Sequence, residues 1–164
     1  MSRILDAAEL NEGDLAPDFD LPLDETRRIS LSALRGKKVA LYFYPKDDTS
    51  GCTAEAQAFT GAVEAFARAG AVVVGVSKDS VASHAKFRAK YDLKVQLGSA
   101  KDDDVVERYG AWVEKSLYGR KYMGVDRSTF LIDRDGVIRR IWRRVKVSGH
   151  VPEVLGEVEA LAAT

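Results

Sequence analysis

The chain holds a single cysteine, Cys52, and its chemistry depends on its setting. Its neighbours Thr49, Ser50, Gly51 and Thr53 are small and polar, whereas an inert core thiol keeps apolar company. Ahead of it, Val39 to Tyr44 is an almost continuous apolar run closed by Pro45, followed by the turn-forming loop Lys46 to Gly51. Behind it lies an alanine-rich stretch in which Phe59, Val63 and Phe66 recur at helical spacing. Cys52 therefore reads as standing at the carboxyl end of a central strand and in the first turn of a helix. Open α/β sheets bind ligands at the first of these places. The second supplies unpaired N–H groups and about half a positive charge, both of which favour a thiolate. The pattern points to a sulfur nucleophile, and the competing reading is a small buried hydrophobe.

Other chemistries lack their residues. One cysteine forms no internal disulfide, and His84 and His150, the only histidines, have no partners at zinc-ligand spacing. Neither a Gly-x-Ser-x-Gly elbow nor a glycine-rich phosphate loop is present. No metal and no cofactor is expected. Lys+Arg and Asp+Glu balance at 25 each, which argues against nucleic acid as a partner. No apolar run approaches the roughly 20 residues of a membrane helix, and acids stand where a signal peptide would have its apolar core. The expectation is a soluble, cytoplasmic chain with a short polar N-terminal arm. Its 164 residues, 46% hydrophobic and 30% charged, fit one globular domain over 1–164.

Short apolar runs alternate with amphipathic stretches, the pattern of an α/β domain. Asp14 to Leu23, punctuated by Pro17 and Pro22, reads as an extended edge segment, and Arg27 to Leu34 as a short strand and turn. A helix is expected from Cys52 to about Ala69, then a buried strand over Ala71 to Val76. Asp79 or Ser80 caps a second helix with Val81, His84, Phe87 and Tyr91 on one stripe. A short strand over Val95 to Leu97 and a short helix over Asp102 to Tyr109 follow. Ala111 to Val125 reads as a long functional or mobile loop. Asp133-Arg134-Asp135-Gly136 is hairpin chemistry between Ser128 to Ile132 and Val137 to Val145, and Val151 to Leu161 reads as a covering helix.

The segment Tyr42 to Ala56 resembles the active-site segment of the peroxiredoxins, and within them the bacterioferritin comigratory protein, or PrxQ, subfamily. The family's Pro, three residues, Thr, two residues, Cys falls on Pro45, Thr49 and Cys52. Three further segments agree in order: residues 13–19, 127–133 and 145–151. The resemblance implies a thioredoxin-like α/β fold, a central mixed sheet with flanking helices, and a thiol peroxidase acting on hydrogen peroxide and organic hydroperoxides. It casts Cys52 as the attacking thiolate and Arg127 as the guanidinium that stabilises it. Thr49 becomes the hydroxyl that orients the peroxide, and Pro45 the shield that narrows access. An ordinary thiol, with a pKa of about 8.5, is only a few per cent ionised at pH 7, so such help matters. Each residue also has a plain reading: Pro45 as a strand terminator, Thr49 as a loop hydroxyl, Arg127 as a surface cation. Glu55 is either a first-turn acid serving the helix dipole or, by resemblance, the support of the arginine. His84 is expected in the core or at the surface, Trp112 and Trp142 in the core, and Arg139 to Arg144 as solvated edge-strand charges.

The chain departs from the family where many members keep a second cysteine: Gln57 and Arg88 occupy those positions, and Ser50 stands where proline is usual. A sulfenic acid on Cys52 would then be resolved by an outside thiol: glutathione, a glutaredoxin or thioredoxin, or Cys52 of a second copy. A monomer or weak homodimer is expected. Two other readings share the fold. One is a thiol–disulfide oxidoreductase, for which no Cys-x-x-Cys exists; the other is a peroxide sensor or partner protein that stops after one equivalent.

Overall fold

The computed structural model describes residues 10–161; the expected polar arm over 1–10 lies outside them except for Leu10, which packs against the core. In chain order the strands are β1 (Asp20–Pro22), β2 (Arg28–Ser30), β3 (Lys38–Phe43), β4 (Ala71–Ser77), β5 (Gln96–Ser99), β6 (Trp112–Leu117), β7 (Arg120–Val125), β8 (Ser128–Ile132) and β9 (Ile138–Trp142). The α-helices are α1 (Ser50–Arg68), α2 (Val81–Tyr91), α3 (Val105–Arg108) and α4 (His150–Ala160). A five-stranded sheet in the order β5-β4-β3-β8-β9 forms the centre. β3 and β4 run parallel, as do β4 and β5, while β8 lies antiparallel to both β3 and β9. This is the expected mixed sheet with flanking helices.

Period-two alternation along β3 divides the core between the two faces of the sheet. Val39, Leu41 and Phe43 join one cluster with Val74, Phe130 and Ile132, closed by Phe19, Leu21 and Tyr109. Ala40, Tyr42 and Tyr44 join the other, with Phe59 and Phe66 of α1 and Val154 and Val158 of α4. Every residue of β3 is buried, as its apolar run requires of a strand covered on both sides. Gly75 lies opposite Tyr42 in register, and a Cβ there would stand 2.6 Å from the tyrosine ring, so the missing side chain makes room for it. Cys52 lies in the α1/α4 cluster.

Several expected boundaries shift. Helix α1 begins at Ser50, which makes Cys52 its third residue. Ser80, whose hydroxyl accepts from Ser83 N, caps α2. The segment read as a long loop over Ala111 to Val125 is instead the antiparallel hairpin β6–β7, with Leu117 paired to Arg120 across the turn Tyr118-Gly119. Both turn residues have positive φ, 52° and 77°, the conformation of a tight hairpin turn. Tyrosine disguises the signal, because asparagine or aspartate usually precedes such a glycine. Arg143, expected among solvated charges, is part-buried and donates to the carbonyls of Tyr109 and Gly110. Among the described residues no helix is long and apolar enough to cross a membrane.

Candidate active site

Strand β3 ends at Phe43, and the chain turns outward through exposed Pro45 and Lys46 before re-entering as α1. Thr49 is the N-cap residue of that helix, and its carbonyl accepts from Thr53 N at 2.8 Å. Its side chain does not cap the helix; Oγ1 donates to Lys46 O at 2.8 Å. That bond uses the hydroxyl's only proton and leaves its lone pairs as acceptors. Cys52, in the first turn, is only 2% exposed, so the thiol is far less accessible than its polar sequence neighbours suggest. Burial here comes from Tyr42, Phe59 and the C-terminal helix packing over the same face.

Arg127 arrives from the other side of the sheet centre, immediately before β8. Its Nη2 donates to Cys52 Sγ at 3.4 Å, and its Nη1 donates to Glu55 Oε1 at 2.6 Å. One planar fork thus spans the sulfur and a carboxylate three residues along the same helix. Gly51 lets it lie close, because a Cβ there would stand 3.1 Å from Nη2. The Arg127 side chain is 16% exposed and that of Glu55 not at all, so their attraction is little screened. Burial pushes Glu55 up to about 7 against the opposing pull of Arg127. For Arg127 burial works against the charge, but Glu55 and Cys52 outweigh it and hold the guanidinium protonated. Glu55 Oε2, Tyr42 Oη and Thr53 Oγ1 are buried with no hydrogen-bond partner among the described residues. Of the two readings of Glu55, the arginine-supporting one fits this geometry.

The structure thus brings Cys52, Arg127 and Glu55 into contact, with Thr49 and Pro45 on the adjoining loop. A residue set the sequence did not disclose holds that loop from behind. Tyr44 Oη donates to Asp47 Oδ1 at 2.6 Å, while Ser83 Oγ and His84 Nδ1 donate to Oδ2 at 2.8 and 2.7 Å. Burial works against the Asp47 charge, but the bonds from His84 and Tyr44 outweigh it and hold this carboxyl below its ordinary range. His84 is fully buried, as one of its two expected placements had it, but in a polar cluster rather than an apolar one. Only a histidine on an otherwise apolar helical stripe hinted at a buried acid to meet it.

Residues 13–141 match the AhpC/TSA family. The chain is 53% identical over 146 residues to a Coxiella burnetii protein provisionally named peroxiredoxin bcp, covering 89% of this chain and 97% of that one. It is 45% identical to peroxiredoxin Bcp of Bacillus subtilis, covering 87% and 91%. Among solved structures it superposes with a TM-score of 0.87 on the bacterioferritin comigratory protein of Xanthomonas campestris, a structure concerned with alkyl peroxide reduction. That pair is 37% identical over 93% of this chain and 98% of the other.

Proposed function

As a member of the AhpC/TSA family the chain is a thiol-dependent peroxidase of the peroxiredoxin Bcp type, and we propose that its cycle runs on Cys52 alone, reduced by a thiol from outside the chain. The observation that carries this reading is the Arg127 fork, with one arm on Cys52 Sγ and the other on Glu55 at the start of α1. A permanent cation and the helix N-terminus both stabilise the sulfur anion. The thiolate attacks the terminal oxygen of the hydroperoxide. A sulfur–oxygen bond forms as the O–O bond breaks, the sulfur is oxidised by two electrons, and the departing oxygen takes a proton and leaves as water or alcohol. Donors of Arg127 stabilise the charge that develops on the separating oxygens. Thr49, its own proton committed to Lys46 O, accepts the peroxide O–H and so orients the molecule. Pro45 has no N–H to compete and narrows the approach. With Cys52 at 2% exposure, hydrogen peroxide and small organic hydroperoxides are the substrates.

The sulfenic acid is then attacked by an external thiol, which forms a mixed disulfide and releases water. A second thiol then attacks the external sulfur of that mixed disulfide, forming a disulfide between the two reductant thiols and releasing Cys52 as the thiolate. Supporting this, the chain has no second cysteine. In a relative, Xanthomonas campestris peroxiredoxin Q, the two cysteines replaced by serine lie 36 positions apart. The same interval from Cys52 falls on Arg88. Glutathione, glutaredoxin or thioredoxin, available in a reducing cytoplasm, serves as reductant, and the enzyme works as a monomer or weak homodimer. Peroxide consumption should exceed one equivalent per chain many-fold with any competent thiol, and Cys52→Ser should abolish it. Without thiol, a sulfenic-acid probe should label Cys52 stoichiometrically. An unlabelled Cys52 refutes the proposal, and labelling that never turns over favours a peroxide sensor.

A further inference from the structure

Behind the loop that carries Pro45 and Thr49 lies a polar cluster that the cycle above does not use. The side chains of His84 and Asp47 are 0% and 4% exposed, yet they meet at 2.7 Å. Each Asp47 oxygen is occupied, Oδ1 by Tyr44 and Oδ2 by Ser83 and His84. The Asp47 backbone N–H donates to Asp79 Oδ2, which also accepts from Ser77 Oγ. His84 Nε2 faces Gly98 O at 3.2 Å. A single loop residue is thus tied to the ends of β3 and β4, to α2 and to β5. Next to it, Asp48 takes the left-handed conformation at φ 61°, held by Tyr91 Oη at 2.6 Å and Lys90 Nζ at 2.9 Å. Polar atoms of Asp47, Asp79 and His84 all lie within 4.8 Å of one another. They are engaged with donors from the chain itself, so the cluster is a hydrogen-bonded junction rather than a cation site.

A buried hydrogen-bonded polar pair contributes little net stability over apolar packing of the same volume, because the cost of desolvating its polar groups offsets their attraction. What such a pair imposes is a defined geometry. We propose that Asp47 and His84 form a buried positioning unit that sets the loop from Pro45 to Thr49, and with it the peroxide pocket over Cys52. The pair touches no substrate and acts through the loop backbone. Among the described residues the Thr49 side chain is oriented by the local bond to Lys46 O alone, so its place above the helix start is inherited from Asp47. This inference rests on Cys52 being the sulfur that peroxide oxidises.

The test compares His84→Leu, His84→Asn and Ser83→Ala with the parent chain, each confirmed folded by circular dichroism. Two readouts are needed: the rate constant for Cys52 oxidation by hydrogen peroxide, and the thiolate content from its ultraviolet absorbance. Removing the Asp47 donor in His84→Leu should slow oxidation about tenfold to a hundredfold, the effect of a misplacement near 1 Å, with thiolate content unchanged. Asparagine, which can offer an N–H near the place of Nδ1, should restore most of that rate. Ser83→Ala, which removes one hydrogen bond, should slow it about fivefold, and this variant decides the matter if leucine prevents folding. Parent-like rates in the variants, or a slowing matched by lost thiolate, would overturn the inference. A parent Cys52 that peroxide leaves unoxidised would instead overturn the peroxidatic reading, and this inference along with it.

Discussion

Gly51 has no side chain at the point where a Cβ would stand 3.1 Å from Arg127 Nη2. The guanidinium is the far end of a flexible side chain, so Gly51→Ala should cost little stability while moving the fork off the sulfur. We expect its peroxide rate to fall roughly tenfold or more with the melting temperature nearly preserved. Stopped-flow oxidation and a thermal scan check this, and a normal rate would show that the fork does not need that approach. Glu55 makes a second prediction, in pH. Burial lifts it from 4.5 to about 7, so the folded chain holds this proton more tightly than the unfolded one. Folding therefore takes up a proton between those values. The contribution of Glu55 to stability is full below about 4.5 and is lost as pH rises through about 7. The loss is on the order of 3 kcal/mol. In Glu55→Gln the unfolding free energy should vary less across that window, as urea midpoints at several pH values would read. An unchanged slope would assign the proton elsewhere.

Helix α1 joins a weak beginning to a strong body. Thr49 gives no side-chain cap, and Ser50 and Gly51 occupy the first two positions, without the preorganisation that proline brings there. Farther along, Phe59 and Phe66 are fully buried. The low exposure of Cys52 means a protein thiol cannot reach its sulfur until the first turn opens. Amides of residues 52–56 should therefore exchange at least about tenfold faster once Cys52 is oxidised, while those of α4 stay protected. Ser50→Pro should oppose the opening and slow reduction by a protein thiol more than reduction by a small one. Hydrogen-exchange mass spectrometry on both redox states checks the first part. Equal exchange would mean the reductant reaches sulfur another way.

Across the molecule, segments distant in sequence close over one face of the sheet. Lys38, at the start of β3 and only 4% exposed, donates to the carbonyls of Val158 and Leu161 at 3.0 and 3.2 Å. A cation at the end of α4 gives the Leu161 carbonyl a donor, adds a second to the Val158 carbonyl beside Leu161 N, and favours the helix dipole. Lys38→Met should lower stability by about 1–3 kcal/mol, seen in chemical denaturation, without slowing peroxide oxidation below the transition. A matching loss of rate would show that the cluster α4 shares with Cys52 carries changes at this end of the helix to the site.

The linear chain alone determined that only one thiol is available and that no internal disulfide forms. It also showed that Cys52 follows a buried strand and opens a helix, because composition and periodicity are local properties. Hairpin chemistry at Asp133 to Gly136 was legible for the same reason, whereas Tyr118-Gly119 hid a second hairpin behind an unusual turn residue. Resemblance points to Arg127 as the partner of Cys52, but only folding makes the contacts themselves. Arg127 reaches Cys52 across 75 residues, Asp47 meets His84 across 37, and the thiol is buried despite polar neighbours. These follow from sheet register and helix packing, which bring together residues whose spacing along the chain carries no periodic signal.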